Sequence, residues 1–170
     1  MHGQPPVIVE PYDPAWPAKF EAERKALEPV LARWLVGPIE HIGSTAVPGL
    51  PAKPVIDIMG AVRNLSSSKP AIEALLPLRY CYFDYRADVM HWFCKPSDVE
   101  HTHHLHLVPF ESQLWYERLA FRDCLRSDET TRLAYRNLKL RLAPEFRDDR
   151  EAYTDAKTDF IQSILERVLR

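Results

Sequence analysis

The chain has 170 residues, 46% hydrophobic and 27% charged, with a net charge of −2, which suits one domain over 1–170 with a sizeable core. That charge balance excludes a strong nucleic-acid footprint or an electrostatic hold on anionic membranes, and no apolar run approaches the roughly 18 residues of a membrane-spanning helix. Three widely spaced cysteines, Cys81, Cys94 and Cys124, form no CxxC pair, which excludes a disulfide scaffold and fits free thiols in a reducing cytoplasm.

Met1–Pro6 reads as a lead-in, and Val7-Ile8-Val9 as a short strand. Asp13 is placed to cap a helix with Pro14 at its first position. From Trp16 to about Leu35, Phe20, Leu27, Val30, Leu31 and Trp34 recur at helical spacing, and Gly37-Pro38 marks the end. A strand over Ile39–Ile42, a proline-rich loop and a strand over Val55–Val62 follow. Asn64–Lys69 is a polar connection in which Ser67 or Ser68 can cap a helix over about Pro70–Leu76. Three β segments come next, Tyr80–Tyr85, His91–Lys95 and Thr102–Phe110, with a turn over Pro96–Glu100. The rest is helical: Ser112–Leu125, then a helix opened by Ser127-Asp128-Glu129 and reaching about Leu142, an interruption at Pro144, and a last helix starting at Asp148 or Asp149. This order predicts an α+β fold, a mixed sheet flanked by helices with a helical C-terminal part.

Two stretches carry chemistry. Gly43-Ser44-Thr45 lies in a tight turn between two strands, where backbone N–H groups and hydroxyls suit a phosphate. The second strand carries one carboxylate, Asp57, inside an apolar run; a local donor or a metal ion accompanying the phosphate would each account for it. The run His101-Thr102-His103-His104-Leu105-His106 places four of seven histidines in six positions. Strand alternation puts His104 and His106 on one face, as a metal-ligand pair or as substrate contacts, and His101 and His103 on the other, as surface residues or as groups that fix a neighbouring tautomer. The next helix carries Arg118, Arg122 and Arg126 at four-residue spacing, and the one after carries Arg132, Arg136 and Lys139. Arginine suits bidentate phosphate contacts, although a solvated, ion-paired helix face explains the same pattern. Arg122 and Lys139 are the candidates to face a ligand.

Together the motifs Tyr12-Asp13-Pro14-Ala15-Trp16, His41 through Leu50, Lys53-Pro54-Val55-Ile56-Asp57-Ile58, His104-Leu105-His106, Phe121 through Arg126, Tyr135-Arg136-Asn137-Leu138-Lys139 and Tyr153-Thr154-Asp155-Ala156-Lys157 resemble the GrpB-like (UPF0157-type) family of the nucleotidyltransferase superfamily. The resemblance implies a nucleotidyltransferase-like core, and metal-assisted transfer with three acids in the wider superfamily. Here Val55 and Met59 stand where an Asp-x-Asp partner to Asp57 belongs, and His104 and His106 stand where a third acid belongs. The expected pocket therefore holds a nucleotide or another phosphate-containing small molecule. Gly43, Ser44 and Thr45 cradle phosphate, Lys53, Arg122 and Lys139 neutralise it, and Asp57, His104 and His106 act as catalytic groups or bind a divalent metal. Magnesium or manganese follows the superfamily, and the imidazoles favour zinc, manganese or iron. A catalytically degenerate nucleotide-binding or interaction module is the alternative.

Overall fold

The computed structural model describes residues 5–170, so part of the Met1–Pro6 lead-in lies outside the described residues. Five strands form its mixed sheet: β1 (Leu35–Ile42), β2 (Ile56–Val62), β3 (Cys81–Phe83), β4 (His91–Pro96) and β5 (His101–Pro109). Their spatial order is β1-β2-β5-β4-β3. Only the central pair, β2 and β5, is parallel; the other neighbours are antiparallel. Covered on both faces, β2 reads as an almost unbroken apolar run.

Alternation along the strands sends apolar side chains to two cores. On one face, Ile39, Ile56, Ile58, Leu105 and Leu107 pack against helix α1 (Trp16–Leu31) through Trp16, Phe20, Leu27 and Leu31. On the other, Ile42, Met59, Ala61 and Val108 pack against Leu114 and Trp115 of α4 (Gln113–Ser127). Two single-turn helices, α2 (Leu65–Ser68) and α3 (Ala71–Ala74), link β2 to β3. The C-terminal helices are α5 (Glu129–Glu145), α6 (Arg150–Asp155) and α7 (Thr158–Val168). They cover the loop after β1, where Val47 and Leu50 meet Leu125 and Tyr135. The α+β expectation holds.

Several boundaries differ from the sequence reading. Helix α1 stops at Leu31, and Gly37-Pro38 lies inside β1. The ladder with β2 breaks between Leu35 and Ile39; an edge strand tolerates the missing proline N–H at such an irregularity. Asp13 does not cap α1: its carboxylate accepts from the Ala15 N–H at 2.8 Å, closing a turn just ahead of the helix. Val7–Val9 forms no strand; Val7 N–H donates to the Arg147 carbonyl at 2.7 Å, and Glu10 alone bridges to Ala52. The predicted helix over Pro70–Leu76 is broken into α3 and a 3-10 turn, Leu76–Leu78. Ser67 and Ser68 do not cap that helix: they lie inside α2, which Asn64 caps by accepting from the Ser67 N–H at 2.8 Å, and α3 follows Pro70 with no side-chain cap. Pro144 does not interrupt α5 but sits within its last turn. Asp149 accepts from the Ala152 N–H at 2.9 Å, which starts α6, and the predicted last helix is therefore two.

Candidate functional site

The parallel register of β2 and β5 pairs Asp57 with His104 and Met59 with His106. Asp57, His104 and His106 therefore share the face that also carries α4. His104 Nδ1 is 3.2 Å and His106 Nε2 3.6 Å from the same oxygen, Asp57 Oδ1. Asp57 keeps 29% side-chain exposure, so the carboxylate remains reachable. Burial alone would raise its pKa, but His104 and His106 outweigh that and hold it well below the usual carboxylate range. Gly43 roofs the acid: a Cβ there would lie 2.6 Å from Asp57 Oδ2, and its φ is +73°. The glycine of the turn is required by both contact and conformation.

The hydrogen bonds dictate proton positions. The Asp98 carbonyl can only accept, so His101 Nε2 donates to it across 3.1 Å. The rings of His101 and His104 meet at Nδ1 and Nε2, 3.0 Å apart, so His101 Nδ1 is the accepting nitrogen of that contact. Burial works against charge on His101. Burial likewise pushes the His106 pKa down despite Asp57. Neither His106 ring nitrogen has a hydrogen-bond partner, because 3.6 Å to Asp57 is an electrostatic contact beyond hydrogen-bond reach.

His101 was expected on the opposite face. The β4–β5 ladder pairs Lys95 with His103 but Pro96 with His101, so β5 carries one extra residue, Thr102. This bulge re-aims His101 towards His104, while His103 faces the other core, 3.8 Å from Glu23.

Asp57, His104 and His106 are of the chemistry that a divalent ion takes as ligands. His104 facing His101, with His101 donating to the Asp98 carbonyl, is the outer arrangement typical of ligating imidazoles. His106, with two unpartnered nitrogens, offers a second imidazole. Among the described residues, however, no group of three or more His, Cys, Asp and Glu side chains is already arranged around a metal position. The three residues meet at an Asp57 oxygen instead.

The arginine stripe of α4 faces this edge of the sheet. Arg122 Nη1 donates to Glu40 at 2.7 Å and to the His41 carbonyl at 3.1 Å, so this predicted phosphate contact is already engaged. Arg126 donates to the Ala46 carbonyl at 2.9 Å. Arg118 lies in the field of Asp57, and its buried Nε has no partner. Thr45 is also spent: it donates to the Val55 carbonyl at 3.3 Å and receives His41 Nε2 at 2.9 Å, bracing the turn against β2. Ser44 is half-buried against the Tyr135 phenol. Lys53 and Lys139 approach the site through the C-terminal helices, Lys53 over Tyr153 and Lys139 over Tyr135. A groove of about 220 Å³ reaches the site's flank and is lined by Lys53, His101 and Arg150 together with Glu10 and Glu100. His101 meets His104 as one of its two expected roles required, though from the other face; Arg118 and Lys157 escaped the sequence reading as site residues, and the i, i+4 stripe was the only signal for Arg118.

Fold and site define an α+β protein whose central sheet presents a carboxylate–imidazole cluster beneath a glycine turn. The family model described as GrpB protein matches residues 6–167, and the chain belongs to the GrpB family. A UPF0157 protein of Pseudomonas aeruginosa is 38% identical over 96% of this chain and 68% of its own length. The glutamate-rich protein GrpB of Alkalihalophilus pseudofirmus is 33% identical, covering 94% of each chain. The crystal structure of the conserved protein GrpB from Enterococcus faecalis superimposes with a TM-score of 0.87 at 33% identity, covering 95% of this chain and 97% of that one. No helix among the described residues is long and apolar enough to cross a membrane.

Proposed function

We propose that this protein is nucleotidyltransferase-like, binding a nucleotide or another phosphate-containing molecule between the Gly43-Ser44 turn and Asp57 and transferring a nucleotidyl or phosphoryl group. The observation that carries this is Asp57 itself: an ionised, reachable carboxylate on an apolar strand, met by two imidazoles at one oxygen and pressed against a turn glycine. Such a charge is costly unless a cation or donors hold it, and its environment keeps it anionic. Ser44 is the hydroxyl placed to meet phosphate, and Arg118 with Lys53 supplies the countercharge, because Arg122 and Thr45 are committed to the scaffold. A divalent ion held by Asp57, His104 and His106 would neutralise charge developing on the transferred group. In such a transfer an acceptor oxygen bonds to phosphorus, the bond to the leaving phosphate breaks, and the acceptor's proton leaves to water, because an imidazole that holds a metal has no lone pair left to take it.

The absence of a second acid two residues from Asp57, where Val55 and Met59 stand, favours a second reading: a module that binds the ligand without chemistry. One experiment separates them. Nucleoside mono-, di- and triphosphates are screened for binding with manganese or zinc, and binders are then followed for turnover. Binding and turnover that both fall with Asp57→Asn support the enzyme. Binding without turnover supports the module, and no binding by any nucleoside phosphate overturns both.

A further inference from the structure

Three lysines beside this site have no carboxylate: among the described residues, none of Lys53, Lys139 and Lys157 is in an ion pair. They come from distant parts of the chain, the loop before β2, the core face of α5 and the turn before α7. The ammonium groups of Lys53 and Lys157 both lie over the Tyr153 ring, at 5.3 and 4.0 Å from its centroid. Lys139, only 2% exposed, sits over Tyr135 at 5.1 Å and donates to the Pro51 carbonyl. Tyr135 in turn touches Ser44, so the lysines continue directly from the glycine turn. Arg150 adds a further unpaired cation beside Lys53: its Nε is buried without a partner.

Cations that converge without an ion-paired carboxylate are costly in a fold. Aromatic faces, one carbonyl and the field of Asp57, which reaches Lys53 and Lys157, offset part of that cost, but like charges held together remain unfavourable. Burial first, and then the lysines' mutual repulsion, push Lys139 down to about 7. Burial and Lys53 do the same to Lys157, also to about 7. A ligand that brings several negative charges in a row would restore all of them. One phosphate carries at most two charges at neutral pH, too few for Lys53, Lys157 and Lys139 together, whereas linked phosphates bring one or more for each.

We propose that Lys53 and Lys157, backed by Lys139, form a cradle for a polyphosphate chain, so that the ligand of the Ser44–Asp57 site carries two or more linked phosphates. The proposal rests on the phosphate reading of that site, and narrows its substrate class to nucleoside di- or triphosphates or inorganic polyphosphate.

Isothermal titration with orthophosphate, tripolyphosphate, a nucleoside monophosphate and the matching triphosphate tests it. Tripolyphosphate should bind about tenfold or more tighter than orthophosphate, and Lys53→Gln and Lys157→Gln should each remove about tenfold, as expected for loss of a charge-assisted contact. A triphosphate that outbinds tripolyphosphate identifies a nucleotide; equal affinity identifies the bare chain. Equal binding of orthophosphate and tripolyphosphate, or wild-type affinity in both lysine variants, overturns the cradle. Lys139→Gln, which keeps a donor for the Pro51 carbonyl, should lose part of the rise in melting temperature that tripolyphosphate gives the wild type. An undiminished rise overturns the backing role of Lys139. If the lysine variants weaken tripolyphosphate while Asp57→Asn changes no activity, the cradle stands and the Asp57 reading fails. If Asp57→Asn abolishes turnover while the lysine variants bind normally, the reverse holds.

Discussion

Gly43→Ala perturbs both the backbone and the acid beneath it. Gly43 has φ 73° and ψ −174°, a region that a residue with a Cβ enters at roughly 1–3 kcal/mol. The new Cβ would lie 2.6 Å from Asp57 Oδ2 and 3.1 Å from its Cβ, so the carboxylate must move away from His104. Losing a charged hydrogen-bond-type contact costs about 1.5–3 kcal/mol more. The sum, about 2.5–6 kcal/mol, corresponds to a fall in Tm of roughly 5–24 °C for a domain of this size. Gly49 supplies the control: its φ is +79°, and a Cβ there meets nothing within 4 Å. Gly49→Ala should therefore cost only the backbone strain, roughly 1–2 kcal/mol. Urea unfolding of both variants gives the difference, and repeating Gly43→Ala in an Asp57→Ala background should shrink its cost towards that of Gly49→Ala. Equal costs for the two glycine variants, or no coupling to Asp57, would refute the contact as the reason for the glycine.

Zinc or manganese titrated into metal-stripped protein should bind, and Asp57→Ala and His106→Ala should each abolish that binding; indifference to both removes the shared site. His41 is buried against Phe20, with ring centroids 4.7 Å apart, and burial pushes its pKa down to about 4. The unfolded chain takes up that proton first, near 6.5, so stability is complete above about pH 6.5 and falls as pH drops towards 4, by about 3 kcal/mol in all. Urea midpoints measured across this window should show the slope, and His41→Gln should flatten it. Arg122→Leu, which strips Glu40 and the His41 carbonyl of their donor, should destabilise by about 1–3 kcal/mol. Phosphate affinity that drops in this variant without loss of stability would return Arg122 to the ligand. Thiol titration of denatured, unreduced protein should recover Cys81, Cys94 and Cys124; recovery of one would reveal a bond between Cys81 and Cys94, which face each other across β3 and β4.

The strand–turn–strand around Gly43 and the pairing of His104 with His106 were legible because local patterning governs them: alternation sets the face, and glycine and proline set the turn. The convergence of Asp57 with His104 was only conditional in the sequence, because it depends on which strands are neighbours and in what register. The arginine stripe showed its spacing but not its partners: Arg122 meets Glu40 across 82 positions of sequence. Lys157 showed only as the end of the Tyr153–Lys157 motif, without a role, because a lone lysine before an amphipathic helix looks like any surface lysine until Tyr153 and Lys53 arrive beside it. The end of α1 was misplaced for a related reason: Gly37-Pro38 breaks helices, yet an edge strand can also absorb it.

The bulge at Thr102 changes which kind of sequence variation the site can survive. A strand counts residues modulo two, and one insertion flips everything beyond it to the other face. Within β5, the extra residue lets His103 serve the Glu23 side of the sheet while His101, only two positions away, serves His104. Substituting Thr102 would keep that count and leave both imidazoles aimed as they are. Deleting it would straighten the strand and, by plain alternation, leave His101 on the face of His104; adding a residue beside it would turn His101 away without altering any histidine, so along this strand the spacing of residues matters as much as their identity.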